Sequence, residues 1–309
     1  MTLDYKTETA MATEPIDSKN ESHVLIDGES YWKISDFNNM RPFLMTVVSA
    51  TDHWMFISSN GGISAGRKNP DSALFPYYTD DMIMDMAEIT GSKTILKVER
   101  NGENYVWEPF SERYGTKFQY SRNLYKNRTG NKVLFEEVNE DLKLVFRYAW
   151  TFSDKYGFVR EASAINTGEQ EVRIEMLDGI QNILPYGLNS DLQSQRSTLV
   201  DAYKKNELDR KSGIGIFSLS SMIVDKAEPS ETLSATTVWS TGVDVQQVLL
   251  SALQLMDFRF DRSIVAEFDV RAEKGAYFLN SSITLGAGQD KTWYIVAELN
   301  QAHKDIVNL

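Results

Sequence analysis

The sequence predicts an all-β protein, built as a large antiparallel sandwich with few short helices. Two observations indicate this fold class: runs in which apolar and polar residues alternate, and turn-forming residues between those runs. A third is the supply of core material, because 42% of the 309 residues are hydrophobic and 11% are aromatic. That content suffices for a large packed core and excludes a globally disordered chain.

Three runs show the alternation that places apolar side chains on one face of a strand. In residues 142–150, Leu, Phe, Tyr and Trp occupy every second position, and Lys143 and Arg147 lie between them. Residues 172–177 and 266–271 repeat the pattern with charged partners. Strands with one apolar and one wet face are typical of antiparallel sheets.

Turn-forming residues separate the extended runs. Asn60-Gly61 and Asn101-Gly102 predict two-residue hairpins, because both central positions of a type I′ turn need positive φ. Further turns are predicted at residues 139–141, 166–168 and 286–288.

Helical segments are few. Residues 200–208 predict about two helical turns. The apolar segment 245–256 suits a helix, although its Val and Leu residues suit a strand equally well. Residues 301–309 resemble the start of a helix, with Ile306 and Leu309 on one face.

The chain is predicted to form one folded body. Residues 1–21 are expected to be a flexible tail, residues 22–300 the β-sandwich domain, and residues 301–309 the start of a helical linker. The tail lacks the apolar segment of a signal peptide. No run of about 18 uncharged apolar residues predicts a transmembrane helix. We therefore expect a cytoplasmic location.

Charge and cysteine content exclude several classes of function. The chain has 32 basic and 44 acidic residues, a net charge of −12, which disfavours nucleic-acid and membrane-surface partners. It has no cysteine, so disulfides, zinc–thiolate sites and cysteine nucleophiles are excluded. With three histidines and no calcium-loop spacing, we expect no metal site. No phosphate-binding loop or dinucleotide fingerprint is present.

Two local patterns have ordinary structural interpretations. Residues 62–66 match G-x-S-x-G, but Asn69-Pro70 follows and disfavours the helix that a serine-hydrolase elbow needs, so a glycine-rich hairpin is predicted. His53 has no histidine at metal-ligand spacing and is interpreted as a structural residue.

Two acidic pairs are also predicted to be structural. The pairs at residues 80–81 and 136–137 would point to opposite faces of a strand, so neither forms a two-carboxylate site alone. Solvated charge is expected for both pairs.

Aromatic residues crowd the first third of the chain beside polar ones. Aromatic faces with hydrogen-bonding neighbours suit sugar rings, which are apolar on one face and hydroxylated at the edge. Ordinary core packing is the alternative for each aromatic residue. The candidate substrate-binding residues are Trp54, Asn60, Arg67, Tyr77, Tyr78, Asp80 and Trp107.

The order of these segments resembles a known family. Residues 56–64 resemble the early glycine-rich hairpin of cellobiose and chitobiose phosphorylases, and residues 75–81 resemble the tyrosine- and aspartate-containing segment that follows it. A hairpin ending at Trp107 comes next, then the turn at residues 166–168. The resemblance spans most of residues 40–300. The chain departs at Ile63, where the family often has a third glycine.

The resemblance implies a galactose-mutarotase-like β-supersandwich that precedes a helical linker and a catalytic (α/α)6 barrel. The chain would then be an N-terminal domain that lacks the catalytic residue, shapes the sugar site and mediates assembly, including a homodimer. The parent enzyme would act on an oligosaccharide or β-glucan, without a cofactor and with inorganic phosphate as co-substrate. The products would be a shortened sugar and a sugar 1-phosphate of inverted configuration.

Two alternatives remain open. The first is a free-standing carbohydrate-binding sandwich. The second is a complete enzyme such as a sugar mutarotase or a lyase. Mutarotase chemistry on the related supersandwich uses histidine with a glutamate base, for which this chain has few histidines. Carboxylates that converge within about 5–10 Å would favour the enzyme.

Overall fold

The computed structural model describes residues 21–114, 117–221 and 234–309. Among these residues the all-β prediction is confirmed, with antiparallel strands and short helices throughout. The predicted tail lies outside the described residues, except for residue 21 at the start of the first strand. No helix among the described residues is long and apolar enough to cross a membrane.

The strands are short to medium in length, and their bounds follow the chain order. They are β1 (Glu21–Ile26), β2 (Glu29–Ile34), β3 (Leu44–Val47), β4 (His53–Ser58), β5 (Ile63–Arg67), β6 (Ala73–Phe75), β7 (Gly91–Arg100), β8 (Glu103–Trp107), β9 (Tyr120–Asn127), β10 (Val133–Asn139), β11 (Leu144–Ser153), β12 (Gly157–Asn166), β13 (Val172–Ile183), β14 (Lys204–Leu208), β15 (Gly215–Leu219), β16 (Ser234–Thr241), β17 (Gln247–Leu249), β18 (Asp269–Arg271), β19 (Gly275–Leu285) and β20 (Asp290–Ala302).

Each α-helix of the described residues has five or six residues; the first four lie between strands, and the last follows β20. They are α1 (Asp80–Asp85), α2 (Ser190–Gln195), α3 (Ser197–Asp201), α4 (Leu255–Arg259) and α5 (His303–Val307).

The strands form three sheets. The large sheet has eleven strands in the order β1-β2-β9-β10-β11-β12-β20-β16-β15-β14-β18. The five-stranded sheet has the order β17-β19-β13-β7-β8, and the four-stranded sheet the order β3-β4-β5-β6. The turn at residues 286–288 joins β19 to β20 and so carries the chain from the five-stranded to the large sheet.

The main core lies where the three sheets meet. Phe146, Trp150 and Trp293 enter it from the large sheet, and Ile174 and Met176 enter it from β13. These side chains are the alternating apolar residues of two predicted strands, so the alternation is confirmed for β11 and β13. The outer face of β13 is also covered near its middle, because α4 packs beside Leu177 through Leu255 and Phe258.

The third alternating run does not form the predicted amphipathic strand. Only Asp269–Arg271 is a strand, and Phe268 is exposed. β18 lies at the edge of the large sheet and pairs with β14 alone, so little of the sheet covers its apolar residues.

Two hairpins occur where the sequence predicts them, but their turns differ. Asn101 and Gly102 both have positive φ (56° and 80°), as a type I′ turn requires. Between β4 and β5, Gly61 alone adopts positive φ (93°). Asn60 instead accepts hydrogen bonds at Oδ1 from the Ser58 hydroxyl and, at 3.4 Å, the Gly62 amide. The type I′ prediction was therefore wrong at Asn60-Gly61.

One helix prediction was wrong, and the segment that suited helix and strand equally well contains part of each. Residues 200–208 contain the end of α3 and then β14, because Lys204–Leu208 pairs with β15. Residues 245–256 contain β17 and only the start of α4. A helix does form near the predicted C-terminal start, at His303–Val307. Local propensity in residues 200–208 did not reveal that Lys204–Leu208 pairs with β15 as a strand.

The G-x-S-x-G motif lies in the predicted glycine-rich hairpin. Ser64 is on β5, fully buried, and its hydroxyl donates to the Pro76 carbonyl at 2.8 Å. Because the hydroxyl is enclosed and committed to this bond, it is not presented as a nucleophile.

The acidic pairs behave differently from one another. Asp80 and Asp81 are exposed, as expected, but they lie in the first turn of α1 rather than on a strand. The prediction of solvated charge was wrong for Glu136 and Glu137, which are both buried. They point in different directions on β10 and each carboxylate has several hydrogen-bond donors around it.

Candidate functional site

A cleft of about 590 Å³ opens beside the end of β6. Residues 76–79 and α1 form one wall, and α2, α3 and the start of β14 form the other. We call it the tyrosine cleft. Its lining includes Tyr77, Tyr78, Asn182, Gln193, Asp201, Lys204 and Lys274.

Tyr77 lines this cleft, and Trp54, outside the lining, packs against its ring. Their rings lie edge to face with centroids 5.9 Å apart, and Tyr77 is 43% exposed. Gln193 accepts a hydrogen bond from the Tyr77 amide at 3.2 Å, which ties the segment to α2. The structure thus brings together two aromatic residues 23 positions apart in the sequence and leaves one ring open to a ligand.

Gly66 makes the position of Trp54 attainable. The two residues are direct partners across β4 and β5. A Cβ atom at Gly66 would lie 2.6 Å from Cζ2 of Trp54 and 2.3 Å from the Ser72 carbonyl. Glycine therefore allows the indole to lie across the neighbouring strand.

Tyr78 and Asn182 contribute polar groups to the cleft. Burial raises the pKa of Tyr78, although its hydrogen bonds to Asn182 and Thr90 act in the opposite direction. Asn182 is buried in the left-handed conformation (φ 59°) and donates to the Thr90 hydroxyl at 2.9 Å. The phenol therefore stays neutral at physiological pH and can donate or accept a hydrogen bond.

Lys204 and Asp201 form an ion pair in the same cleft. Lys204 is 4% exposed, and its Nζ donates to Asp201 at 2.7 Å. Burial lowers the pKa of Lys204, Asp201 opposes this shift, and the nearby charge of Lys274 adds to it. Such fixed polar groups beside exposed aromatic surface are able to orient a hydroxylated ligand.

The remaining sequence candidates lie elsewhere. Asn60 donates to the Met84 carbonyl at 2.9 Å and so fastens α1 to the β4–β5 turn. Asp80 is exposed in the first turn of α1, beyond the cleft lining. Trp107 is 2% exposed, and its Nε1 donates to buried Glu137 at 2.7 Å. In this position the Trp107 indole is closed to a ligand.

Arg67 belongs to a separate cluster. Its guanidinium bridges Asp52 at 2.6 Å and Glu298 at 3.0 Å. The Nε2 atom of buried His53 lies 3.7 Å from Glu298 and has no hydrogen-bond partner. Because Glu298 lies on β20 of the large sheet and Arg67 lies on β5, this convergence of two carboxylates and a histidine depends on how the four-stranded sheet packs against the large sheet.

Several cleft residues were missed by sequence reasoning. Asn182 carries a signal, since a polar residue interrupts an apolar strand next to Ile183 and Leu184. Gln193, Lys204 and Lys274 carry none, because their segments look like ordinary polar surface. Among the described residues, no group of three or more His, Asp or Glu is placed to hold a metal ion.

Comparisons with known proteins identify similar folds at low identity. No family model matches the chain, and no curated protein matches it. A galactose mutarotase-like protein from Clostridium acetobutylicum aligns at 9% identity and TM-score 0.43, covering 91% of this chain and 98% of its own. A polysaccharide lyase aligns at 12% identity and TM-score 0.43, covering 85% of this chain. A putative kojibiose phosphorylase from the human microbiome aligns at 10% and 0.35, covering 88%.

The chain spans about a third of that lyase (33%) and about a quarter of that phosphorylase (27%). At these identities and TM-scores, the similarities carry no information about the substrate or reaction of this chain.

Proposed function

We propose that the chain is a carbohydrate-binding β-supersandwich domain and that the tyrosine cleft binds the sugar. The observation that carries the proposal is the exposed Tyr77 ring, which lines the cleft and is held from behind by its contact with Trp54. The Tyr77 ring offers a stacking face, while Tyr78, Asn182 and the Lys204–Asp201 pair offer donors and acceptors for hydroxyl groups.

The finer proposal is that this domain serves a glycoside phosphorylase-like enzyme. Inorganic phosphate would attack the anomeric carbon of a β-glucoside, and an aspartic acid in an (α/α)6 barrel would protonate the leaving oxygen. The domain itself would shape the sugar site without supplying a catalytic residue. The order of the family-like segments supports this proposal.

A surface suited to a second domain adds support. Leu253, Phe260 and Val265 are largely exposed around α4, and Met256 and Phe268 are exposed near them. Apolar side chains grouped on a surface are typical of places where another domain or subunit packs. A cytoplasmic location and a homodimer remain predictions.

Sugar binding tests the first proposal directly. We expect tryptophan fluorescence to change when cellobiose or cellotetraose is titrated, since Trp54 touches Tyr77. Tyr77→Ala should weaken binding by about tenfold. Trp32→Ala, which removes an exposed indole on β2, is the matched control and should bind like the wild type. Equal binding by all three proteins would refute the cleft as the site.

Phosphorolysis tests the finer proposal. Sugar 1-phosphate formation is measured with this chain and with a polypeptide that adds an (α/α)6-barrel domain of the resembled family. Activity that requires the added domain supports a dependent N-terminal domain. Activity of the 309-residue chain alone would contradict it. Sugar binding with no gain of activity favours the alternative, a free-standing carbohydrate-binding module.

The cluster around Glu298 favours a second candidate function. Glu298 lies 3.7 Å from His53, and Arg67 joins it to Asp52. In a mutarotase-like reaction, Glu298 would take the proton of the anomeric hydroxyl, and buried His53 would position the carboxylate. A solvent water would give a proton to the ring oxygen as the C1–O5 bond breaks, and both proton transfers would reverse when the ring closes on the other face of C1. Polarimetry of freshly dissolved α-D-glucose tests this candidate. A rate above buffer that Glu298→Gln abolishes would support it, and a rate equal to buffer would exclude it.

A further inference from the structure

The outer face of the large sheet carries a groove that is separate from the tyrosine cleft. Trp293 and Ile295 point into the core, so Tyr294 between them points outward. The turn between β1 and β2 leans over this face and encloses about 200 Å³. We call this space the outer groove. It is lined by side chains that include Asp27, Arg147, Glu161, Ser163 and Thr292.

Three aromatic residues continue from one end of the groove. Tyr294 is the direct partner of Glu161 across β12 and β20. Trp239 on β16 is the partner of Val296, which places it diagonally across from Tyr294 and within reach of its ring. The rings of Trp239 and Tyr156 lie edge to face at 5.8 Å, and Tyr156 is exposed. The face therefore changes from hydroxyl and charged groups to aromatic rings along one direction.

The charged groups of the groove are held in place by partners. The Arg147 guanidinium donates to Glu136 at 2.6 Å, and Glu161 accepts from Lys132 at 3.1 Å. Since these charges are paired, Asp27 and Asp290 give the rim a net negative character. An anionic polymer is thus disfavoured, and a neutral hydroxylated ligand meets fixed donors and acceptors.

We propose that the outer groove and the neighbouring aromatic residues form a second carbohydrate site, which takes a neutral polysaccharide chain, for which β-glucan is the probe. One sugar unit occupies the groove, where Thr292, Ser163 and Glu161 bond its hydroxyl groups. The next unit lies over Tyr294 and Trp239, whose rings cover its apolar face. The groove is smaller than a typical ligand pocket of about 300–1,000 Å³, which fits one end of a chain that continues along the surface.

The experiment separates this site from the tyrosine cleft. Calorimetric titration with cellotetraose and affinity electrophoresis in barley β-glucan are carried out on the wild type, Trp239→Ala, Tyr294→Ser and Tyr77→Ala. Trp239→Ala and Tyr294→Ser should each weaken retention by β-glucan about fivefold. β-Glucan should retard Tyr77→Ala as much as it retards the wild type. Trp32→Ala is the control for loss of an exposed indole. A melting temperature equal to that of the wild type shows that a variant is folded. If Trp239→Ala does not fold, Tyr294→Ser alone tests the outer groove.

Each outcome decides between the two sites. Retention that depends on Trp239 or Tyr294, with Tyr77→Ala unaffected, establishes the outer groove. Binding that depends on Tyr77 alone overturns the second site and leaves the cleft. Cellotetraose binding that depends on Trp239 and Tyr294 but not on Tyr77 overturns the tyrosine cleft as a sugar site and supports the outer groove. A wild-type chain that binds neither ligand overturns both.

Discussion

Arg160 and Asp178 form an ion pair at 2.7 Å in which both side chains have no solvent exposure. Arg160 belongs to β12 of the large sheet and Asp178 to β13 of the five-stranded sheet, so the pair crosses the core. The Trp293 indole and the Thr94 hydroxyl also donate to Asp178, each at 2.6 Å. The Asp178 carboxylate thereby joins β12 and β20 of the large sheet to β7 and β13 of the five-stranded sheet. These bonds fix the position of one sheet relative to the other.

Neutralising that carboxylate should be strongly destabilising. Asp178→Asn keeps the shape but leaves the Arg160 charge buried without a counterion, and we expect a loss of about 3–5 kcal/mol in the free energy of unfolding. Urea denaturation measures it. Asp80→Asn, on the exposed start of α1, should change stability by less than about 0.5 kcal/mol. A small loss in Asp178→Asn would mean that Arg160 finds other partners.

Replacing both Arg160 and Asp178 should cost much less stability than Asp178→Asn alone. Arg160→Met with Asp178→Leu removes both buried charges, and apolar side chains of similar volume often match or exceed a buried ion pair in stability. We expect the double variant to recover most of the stability that Asp178→Asn loses. The same urea measurement tests this. A double variant as unstable as Asp178→Asn would show that Thr94 and Trp293 are the dominant partners instead.

Glu108 makes stability depend on pH. Its buried carboxylate accepts two hydrogen bonds of 2.8 Å from Arg259 and lies beside Lys93. Burial raises its pKa, but the hydrogen bonds from Arg259 and the charge of Lys93 outweigh this and hold the pKa below 4.5. A depressed folded-state pKa gives stability that is present above the unfolded pKa and lost as the pH falls through the folded pKa.

Glu108→Gln should therefore be less stable at neutral pH and less sensitive to acid. We expect the free energy of unfolding of the wild type to fall between about pH 5 and pH 3, and that of Glu108→Gln to fall less. Urea denaturation at a series of pH values gives both curves. Parallel curves would show that the acid sensitivity resides in other carboxylates.

Gly66→Ala should disturb both the fold and the tyrosine cleft. The new Cβ would lie 2.3 Å from the Ser72 carbonyl and 2.6 Å from the Trp54 indole, and the backbone contact has no room to relax. We expect a loss of about 2–3 kcal/mol and a shifted tryptophan emission. Gly102→Ala is the control, because its φ is 80° with no atom within 4 Å of a Cβ. That variant should lose only about 1 kcal/mol.

Trp107→Ala and Trp54→Ala should differ in which property they change. Trp107 is buried against the core and bonded to Glu137, so its removal should cost about 3–5 kcal/mol. Trp54 is only partly buried beside Tyr77, so its removal should cost less stability and weaken sugar binding more. Melting curves and sugar titration measure the two effects. Weaker sugar binding in Trp107→Ala at unchanged melting temperature would contradict this division.

Particular residues show how far sequence reasoning reached. The alternation around Phe146 and Ile174 predicted the strands correctly, since burial of one face imposes a period of two. Asn101-Gly102 predicted its turn, because the requirement for positive φ is local. At Lys204, by contrast, local composition favoured a helix, while pairing with β15 made a strand.

The candidate site also has features that the sequence indicated and features that only the structure shows. The sequence indicated Trp54, Tyr77, Tyr78 and Trp107 as candidates for sugar binding. It did not indicate that Tyr77 and Tyr78 line one cleft, that Trp54 packs on Tyr77, or that Trp107 is enclosed. It also did not indicate that Glu298 approaches His53, or that Glu136 and Glu137 are buried.

By itself, the sequence determined the fold class, the strands β11 and β13, and the turn at Asn101-Gly102. The tertiary structure alone decided which of the candidate aromatic residues face a cleft and which charges converge. The physical reason is that periodicity and turn geometry are encoded within a few residues, whereas the packing of one sheet on another brings together residues hundreds of positions apart. Arg67 on β5 and Glu298 on β20, 231 residues apart and 3.0 Å from each other, owe their contact to the packing of the four-stranded sheet against the large sheet.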